Sequence, residues 1–262
     1  MTARVSEVLV RALPPVLLLA VWEALSRAGL VDWRFFSSPS EIASVFLAMI
    51  VSGELFVHIL ISLQRIFLGF FLGVIPGVII GTIVGFSRIA NMLIGPLVAI
   101  IFPIPKIAIL PLLMILFGVG EGSKVALIAL GSVFLTLYNT ASGVRNLPPI
   151  YREVGQSFGA SRLQYLWTIA LPGALPHIMT GLKLSLQTSL LLIVAAEFVG
   201  AKDGVGQLIW SAWEIFDVRR MFVGLITLST VGYLLSIAIE KLEEALLPWR
   251  DIGTAGASTT KQ

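Results

Sequence analysis

The sequence predicts an all-α membrane protein, and its composition and patterning both support this prediction. Of its 262 residues, 57% are hydrophobic and 13% are charged, and the mean hydropathy is +0.95. A soluble domain carries about 25% charged residues, so this chain has too little polar surface to remain in water. The apolar residues also form unbroken blocks of about twenty, the length with which a helix crosses a bilayer. Strands of a membrane β-barrel would be shorter and would alternate in polarity.

We interpret the chain as one transmembrane domain, 1–262, with about six transmembrane helices. Two arginines precede the first apolar block, as in a signal peptide, but Pro14, Pro15 and Glu23 interrupt it, so an uncleaved span is favoured. The distribution of lysine and arginine favours cytoplasmic N- and C-termini, and residues 251–262 are expected to form a flexible tail. The predicted spans are Val8–Leu25, Ile66–Phe86, Met92–Phe117, Val125–Val144, Leu171–Val199 and Phe222–Leu242.

The chain lacks the motifs of an enzyme, so we predict no catalytic residue, metal site or cofactor in it. The absence of cysteine excludes disulfides and thiolate ligands. His58 and His177 stand alone, and the segment Gly118–Lys124 ends in Gly-Ser-Lys where a phosphate-binding loop ends in Gly-Lys-Ser or Gly-Lys-Thr. The net charge of +3 comes from scattered cations, which excludes nucleic acid as a partner. If ATP drives this protein, another chain hydrolyses it.

The second predicted span carries a glycine at every fourth position, and we predict that these glycines serve helix packing. Residues four apart lie on one face of a helix, so another helix can approach this face closely. Two uses stay open, packing within the chain or a face that slides or dimerises. The glycines are Gly69, Gly73, Gly77, Gly81 and Gly85.

The third predicted span contains Pro103, Pro105 and Pro111, with Lys106 among them. A lysine buried at membrane depth is costly and is by default functional. Alternatively, the helix breaks at the prolines and the Lys106 side chain reaches an interface. The sequence does not decide between these two readings.

The polar segment between the fourth and fifth spans, residues 145–170, predicts two short helices at an angle. Two prolines suit the first turn of the first helix, and Gly159 stands where a left-handed residue ends it. Ser161 and Gln164 then form a capping box that starts the second helix, which runs to about Ala170. We call this segment the two-helix loop. It either receives a mechanical push from a soluble partner or is a structured loop without a partner.

The two-helix loop resembles the EAA loop of inner-membrane permeases of binding-protein-dependent ABC importers. That pattern is Glu-Ala-Ala, three residues, Gly, nine residues and Ile-x-Leu-Pro, and the segment 153–172 matches every spacing, with Val-Gly in place of the two alanines. Further segments resemble the branch of this family that contains nitrate, bicarbonate, taurine and alkanesulfonate permeases. They are Ser62–Gly69, Ile109–Leu113, Phe117–Lys124, Asn139 and Thr140 with Gly143, Ala196–Ala201 and Gly204–Gly206.

The resemblance implies the transmembrane subunit of a type I importer in a bacterial-type inner membrane. Two permease copies, expected to be a homodimer, would form the pathway through the lipid bilayer. Two separate ATPase subunits, which bind ATP-Mg, would dock on the cytoplasmic two-helix loops, and an extracytoplasmic solute-binding protein would deliver a small anion. The residues implied to couple to the ATPase are Tyr151, Arg152, Glu153, Gly155, Phe158 and Gly159.

Polar side chains inside the spans are the candidates for the substrate pathway, because such groups tend to face a cavity or the bundle interior. Three of them share one face of the fifth span, and its lysine would suit an anion such as nitrate, bicarbonate or a sulfonate. The alternatives are a hydrogen-bonded packing cluster or a lysine–glutamate pair. The candidates are Lys106, Thr136, Asn139, Thr180, Lys183, Gln187 and Glu197.

Two other classes of protein were weighed against an importer subunit. A secondary transporter would normally show inverted repeats with matching broken helices, and the two halves of this sequence do not match convincingly. A membrane scaffold without a pathway would not need a proline-rich third span or polar faces on the fourth and fifth. Binding of an ATPase subunit distinguishes the importer from both.

Overall fold

The computed structural model describes residues 2–32 and 34–249, and the regular elements within them are helical. The chain divides into two compact units, Met1–Ile61 with Lys202–Ser229 and Ser62–Ala201 with Thr230–Gln262. The predicted flexible tail, 251–262, lies outside the described residues.

The described part of the chain forms α-helices joined by short turns, with one 3-10 turn (Lys106–Ile109) and one π turn (Leu166–Ala170). In chain order the helices are α1 (Thr2–Arg27), α2 (Pro39–Val51), α3 (Glu54–Phe86), α4 (Arg88–Ile101), α5 (Leu110–Phe117), α6 (Glu121–Arg145), α7 (Pro149–Ser157), α8 (Arg162–Tyr165), α9 (Leu171–Phe198), α10 (Val205–Glu214) and α11 (Val218–Leu246).

Four helical stretches of the described chain are long and apolar enough to cross a membrane: α3, α6, the continuous run Arg162–Phe198, and α11. The pair α4 and α5 makes a fifth crossing if the two are counted as one broken span. These stretches contain the second to sixth predicted spans, apart from Val199, which follows α9. A crossing by α1, which would make six, remains a prediction.

The third predicted span is not one straight helix, which corrects the interpretation of Met92–Phe117 as a single run. Helix α4 ends at Ile101, the 3-10 turn begins at Lys106, and the two halves are bent by 87°. Pro103 and Pro105 lie in the break, because proline has no N–H to continue the helical hydrogen bonds. The alternative of a broken helix is therefore the one that the structure shows.

The core of the second unit forms where α3, α6 and α9 pack side by side. Ile66, Leu127, Ile128 and Ile193 are almost completely buried there. Since lipid tails are as apolar as these side chains, close packing rather than the hydrophobic effect stabilises such contacts within a membrane.

The five glycines of α3 all face α6, so their face packs within this chain. A Cβ at Gly69 would lie 2.5 Å from the Ile128 Cβ, and one at Gly77 would lie 2.9 Å from the Thr136 Cβ. The residues of α6 that they meet also recur every fourth position. They are Ile128, Ser132, Thr136, Thr140 and Val144.

The first unit has its own small core, which includes a helix that the sequence analysis did not predict. Ile42 and Met49, on one face of α2, pack with Leu208 of the unpredicted helix α10 and with Val223 near the start of α11. Ser38 is the N-cap of helix α2, and its hydroxyl accepts a hydrogen bond from the Glu41 N–H at 3.4 Å.

Candidate functional site

The two-helix loop begins with α7, which ends in a tight left-handed turn. Gly159 has φ +68°, a conformation in which a side chain is strained. Its N–H donates to the Gln156 carbonyl at 2.9 Å, and the Ala160 N–H donates to the Gly155 carbonyl at 2.9 Å. These two bonds are the pattern of a Schellman cap, which satisfies the last carbonyls of the helix.

The second helix of the loop starts two residues later with the predicted capping box. The Ser161 N–H donates to Gln164 Oε1 at 2.8 Å, and the Ser161 hydroxyl accepts from the Gln164 N–H at 3.3 Å. Helix α8 then passes through the π turn into α9 without a break, as a single run of 37 residues. The second helix is therefore the N-terminal end of the fifth span. It does not stop at about Ala170, which corrects the expectation from the sequence.

Helix α7 presents an apolar face to the outside of the protein. Ile150, Tyr151, Val154 and Phe158 are all exposed, and Phe158 is 87% exposed. These positions lie within about half a turn of one another at 100° per residue. Large apolar side chains that are exposed together outside the packed core indicate a surface that another protein covers.

The opposite face of α7 is turned toward the rest of the second unit. Gly155 is buried, and a Cβ there would lie 3.0 Å from the Tyr165 ring and 3.3 Å from the Ile169 Cδ1 atom, so glycine lets α7 close onto the second helix. Arg152 lines a cavity on this inner side. Glu153 is exposed. The six predicted coupling residues therefore do not share one surface: Tyr151 and Phe158 face outward, and Arg152 and Gly155 face inward.

Glu197 lies in a buried charge cluster that joins α3, α6 and α9. Its side chain is 1% exposed, and Arg65 Nη1 donates to its Oε1 atom at 2.7 Å. Arg65 also binds Glu121 through two hydrogen bonds of 2.5 and 2.6 Å, and the Ser62 hydroxyl donates to Glu197 at 2.8 Å. Of these residues, only Glu197 was predicted as a candidate. A signal for the other three is that they also lie in segments that resemble one branch of permeases.

Lys183 forms an ion pair with Glu243 of α11. The lysine–glutamate pair, left open as an alternative, is therefore present, and the two charges neutralise each other. Its neighbours on the same face of α9, Thr180 and Gln187, are exposed.

Lys106 lies at the break between α4 and α5. Its ammonium donates to the carbonyls of Ile101, Phe102 and Ile104 at 2.9, 3.0 and 2.9 Å, and it lies 5.0 Å from the centre of the Phe134 ring. It therefore caps carbonyls that the broken helix leaves without partners, and its positive charge suits the C-terminal end of α4.

Thr136 belongs to a hydrogen-bonded seam between α6 and α9. Its hydroxyl lies 2.8 Å from the Ser185 hydroxyl, and Ser132 and Ser189 pair in the same way at 3.1 Å. Asn139 donates to the Leu135 carbonyl of its own helix at 2.8 Å. Both predicted pathway residues of α6 are thus engaged within the protein.

The fold and the loop define a multi-pass helical membrane protein with a rigid helical projection at the end of its spans. Comparison with known proteins specifies the class: residues 73–247 match the family described as binding-protein-dependent transport system inner membrane component, and the chain belongs to this family. It is therefore the transmembrane subunit of an ABC importer, which works with separate ATPase subunits and a solute-binding protein. The alternatives of a secondary transporter and a scaffold are not favoured.

The relatives found by sequence are importer permeases. The chain is 36% identical to the putative aliphatic sulfonates transport permease protein SsuC of Bacillus subtilis (strain 168), over 90% of this chain and 86% of that one. It is 32% identical to the taurine transport system permease protein TauC of Escherichia coli (strain K12), over 88% of this chain and 86% of that one.

The fold is also similar to that of a solved ABC transporter. A chain of the MetNI methionine ABC transporter in an inward-facing conformation matches with a TM-score of 0.63 and 22% identity. The match covers 71% of this chain and 92% of that chain. At this identity the similarity concerns the fold alone.

Proposed function

We propose that this chain imports small sulfonates and related anions, and that it does so as a homodimer whose two α7 helices bind the ATPase subunits. The observation that carries the proposal is the exposed apolar face of α7, a helix whose C-terminal end is fixed by the Schellman cap at Gly159 and is followed directly by the capping box at Ser161. A short helix fixed at its end by such a turn transmits a push to α9, because α8 is continuous with that span.

The substrate class rests on the relatives. The two sequence relatives described above carry the names of aliphatic sulfonate and taurine permeases, and both substrates are small sulfonates. The translocation pathway is proposed to include Thr180 and Gln187, which are exposed on α9. The other five candidates are half-buried or buried and bind groups within the chain, so we assign them to packing; they are Lys106, Thr136, Asn139, Lys183 and Glu197.

The docking face also gives a proposed orientation. If α7 lies in the cytoplasm, then α6 runs outward-to-inward and the Arg65 cluster lies near the extracytoplasmic surface. Helix α11 then ends in the cytoplasm, and the C-terminus with it. More lysine and arginine on the α7 side agrees with this arrangement.

The docking proposal is tested with the double variant Val154→Ser/Phe158→Ser in the complex with its ATPase subunit. We expect the ATPase to be lost during co-purification, because exposed apolar residues at the centre of an interface contribute about 1 kcal/mol or more each. The control is Ile215→Ser, which removes an exposed apolar side chain from the turn after α10. Retention of the ATPase by the double variant would contradict the proposal.

The substrate proposal is tested by uptake into proteoliposomes that contain the complex and its binding protein. Radiolabelled alkanesulfonate should accumulate with ATP, and excess taurine or another sulfonate should compete with it. Competition by a neutral or cationic amino acid but not by any sulfonate would refute the substrate class without affecting the docking result.

A further inference from the structure

A cavity of about 920 Å³ lies on the inner side of the two-helix loop, between α7 and the ends of α3, α4 and α6. Four arginines line it: Arg88, Arg145, Arg152 and Arg162. The lining contains no aspartate or glutamate among the described residues. A volume of this size is typical of ligand-binding cavities.

The positive charge of this cavity is not neutralised by carboxylates in the described part of the chain, where none of the four arginines forms an ion pair. Arg145 Nη1 instead donates to the Asn91 amide oxygen at 3.3 Å. The N-terminal end of α4, which carries partial positive charge, also contributes to the lining. All four arginine side chains are exposed, so solvent screens part of their mutual repulsion, and an anion bound between them would reduce it further. Arginine in particular matches the geometry of a phosphate group.

A second cavity, of about 590 Å³, continues from the first along α4 and α6. The two cavities share Val84, Asn91 and Arg145. Beyond these the lining is mostly apolar and includes Gly95, Ala99 and Leu137. A charged cavity that continues into an apolar groove suits an amphiphilic ligand, whose charged headgroup would lie in the cavity and whose apolar chain would lie in the groove.

We propose that the two cavities bind one anionic phospholipid, with its phosphate among the arginines and an acyl chain in the groove between α4 and α6. The apolar groove favours a lipid over free phosphate, because phosphate has no apolar part that could fill the groove. Basic pockets between transmembrane helices are known to suit anionic lipid headgroups. The lipid would contact Arg152 and Gly155, on the side of α7 opposite to Phe158, and would hold α7 in its position. Binding of the lipid does not depend on the proposed function, whereas its effect on ATP hydrolysis rests on it.

The first test removes charge from the charged cavity without touching the docking face. The variant Arg88→Gln/Arg162→Gln is compared with Lys202→Gln/Arg219→Gln, which removes two exposed positive charges that do not line either cavity. The complex is titrated in phosphatidylcholine nanodiscs with phosphatidylglycerol, and bound lipid is counted by native mass spectrometry. We expect about thirtyfold weaker binding of phosphatidylglycerol in the first variant and little change in the second, because each arginine near an anionic headgroup contributes about a factor of five. Equal binding by both variants would overturn the proposal.

The second test distinguishes a lipid from free phosphate. Ala99→Trp fills the groove, and Leu97→Trp places the same bulk on an exposed position of α4 that does not line it. We expect Ala99→Trp to weaken phosphatidylglycerol binding at least about tenfold, and Leu97→Trp to leave it unchanged. If inorganic phosphate displaces phosphatidylglycerol at millimolar concentration and Ala99→Trp has no effect, the site binds free phosphate and the lipid proposal is wrong.

A readout of ATP hydrolysis separates this proposal from the proposed function. Phosphatidylglycerol should change solute-stimulated ATP hydrolysis by the complex that contains Lys202→Gln/Arg219→Gln, and should not change it in Arg88→Gln/Arg162→Gln. If neither complex couples solute to ATP hydrolysis, the proposed function fails while the lipid titration still decides the site.

Discussion

The turn at Gly159 depends on a single backbone angle. No atom lies within 4 Å of the place where a Cβ would stand, so a side chain there meets open space and its cost comes from φ +68° alone. Asparagine visits this left-handed region with little strain, whereas branched or bulky residues do not. Substitutions at Gly159 therefore separate the effect of the turn from the effect of bulk.

Gly159→Leu should uncouple the importer. The left-handed conformation would cost about 1–2 kcal/mol, so the Schellman cap would open and α7 would lose its fixed angle. We expect normal amounts of inserted protein but loss of solute-stimulated ATP hydrolysis in the reconstituted complex. Gly159→Asn is the control and should retain most of the stimulation. If Gly159→Leu couples as well as the unaltered protein, the turn has no role in transmission.

Arg65→Met should strongly destabilise the protein, because it removes the guanidinium that pairs with the buried Glu197 carboxylate. Breaking a buried ion pair in this way costs about 3–5 kcal/mol. Glu121→Gln should lower the stability much less, because the Glu121 side chain is 65% exposed and exposed carboxylates contribute little to stability through ion pairs. Thermal unfolding in detergent measures both variants. The double variant Arg65→Met/Glu197→Gln should recover part of the stability that Arg65→Met loses. If it recovers none, packing of the Arg65 stem, not charge, dominates.

At the residue scale, local signals were readable from the sequence and distant pairs were not. The left-handed Gly159 and the Ser161–Gln164 box depend on residues within one or two turns, so their residue types predicted the geometry. The partners of Arg65, by contrast, lie 56 and 132 positions away. No spacing rule reaches across that distance, so the buried charge cluster around Glu197 was not predicted.

Among the elements, the contact between α3 and α6 depends on backbone proximity. Gly77→Leu should separate these helices, since even its Cβ would lie 2.9 Å from both the Val133 carbonyl oxygen and the Thr136 Cβ. We expect reduced insertion or a melting temperature lowered by several degrees, because overpacking of this kind costs about 1–3 kcal/mol. Ile79→Leu, at an exposed position of the same helix, should have no such effect. Equal melting of the two variants would mean that the glycine face is loosely packed.

Elements were predictable from the sequence when their apolar pattern was long. Helices α6, α9 and α11 each cover the predicted span to within one residue, because an unbroken run of about twenty apolar residues is typical of a membrane-spanning helix. Helix α10 was missed because ten residues are too few for a span, although Val205, Leu208, Ile209 and Ala212 recur at helical spacing and could have indicated it. The break after Ile101 was foreseen only as one of two outcomes, because prolines are tolerated in straight membrane helices when neighbours satisfy the freed carbonyls. The capping of three carbonyls by Lys106 is a local contact, within five residues, but it depends on the break and could be foreseen only with it.

For the whole molecule, the broken span raises the question of what covers it. Backbone groups at membrane depth must be satisfied by protein or by a water-filled cavity. Lys106 satisfies three carbonyls, yet Pro103, Pro105 and Ile107 are exposed in the single chain, and Ile115 of α5 is 81% exposed. A second copy of the chain that packs against α5 would cover these residues and would enclose a pathway between the two copies.

The homodimer is tested by cross-linking, for which a chain without cysteine is well suited. Ile115→Cys should give a product of twice the 28.3 kDa chain mass with a short bismaleimide, because the proposed interface brings the two α5 helices together. Ile75→Cys, on an exposed face of α3, should stay monomeric under the same conditions. The cross-linked species should co-purify with two ATPase subunits, since each copy offers one α7. A product that contains a different permease chain would show a heterodimer, and a cross-link at Ile75 alone would move the interface from the broken span to α3.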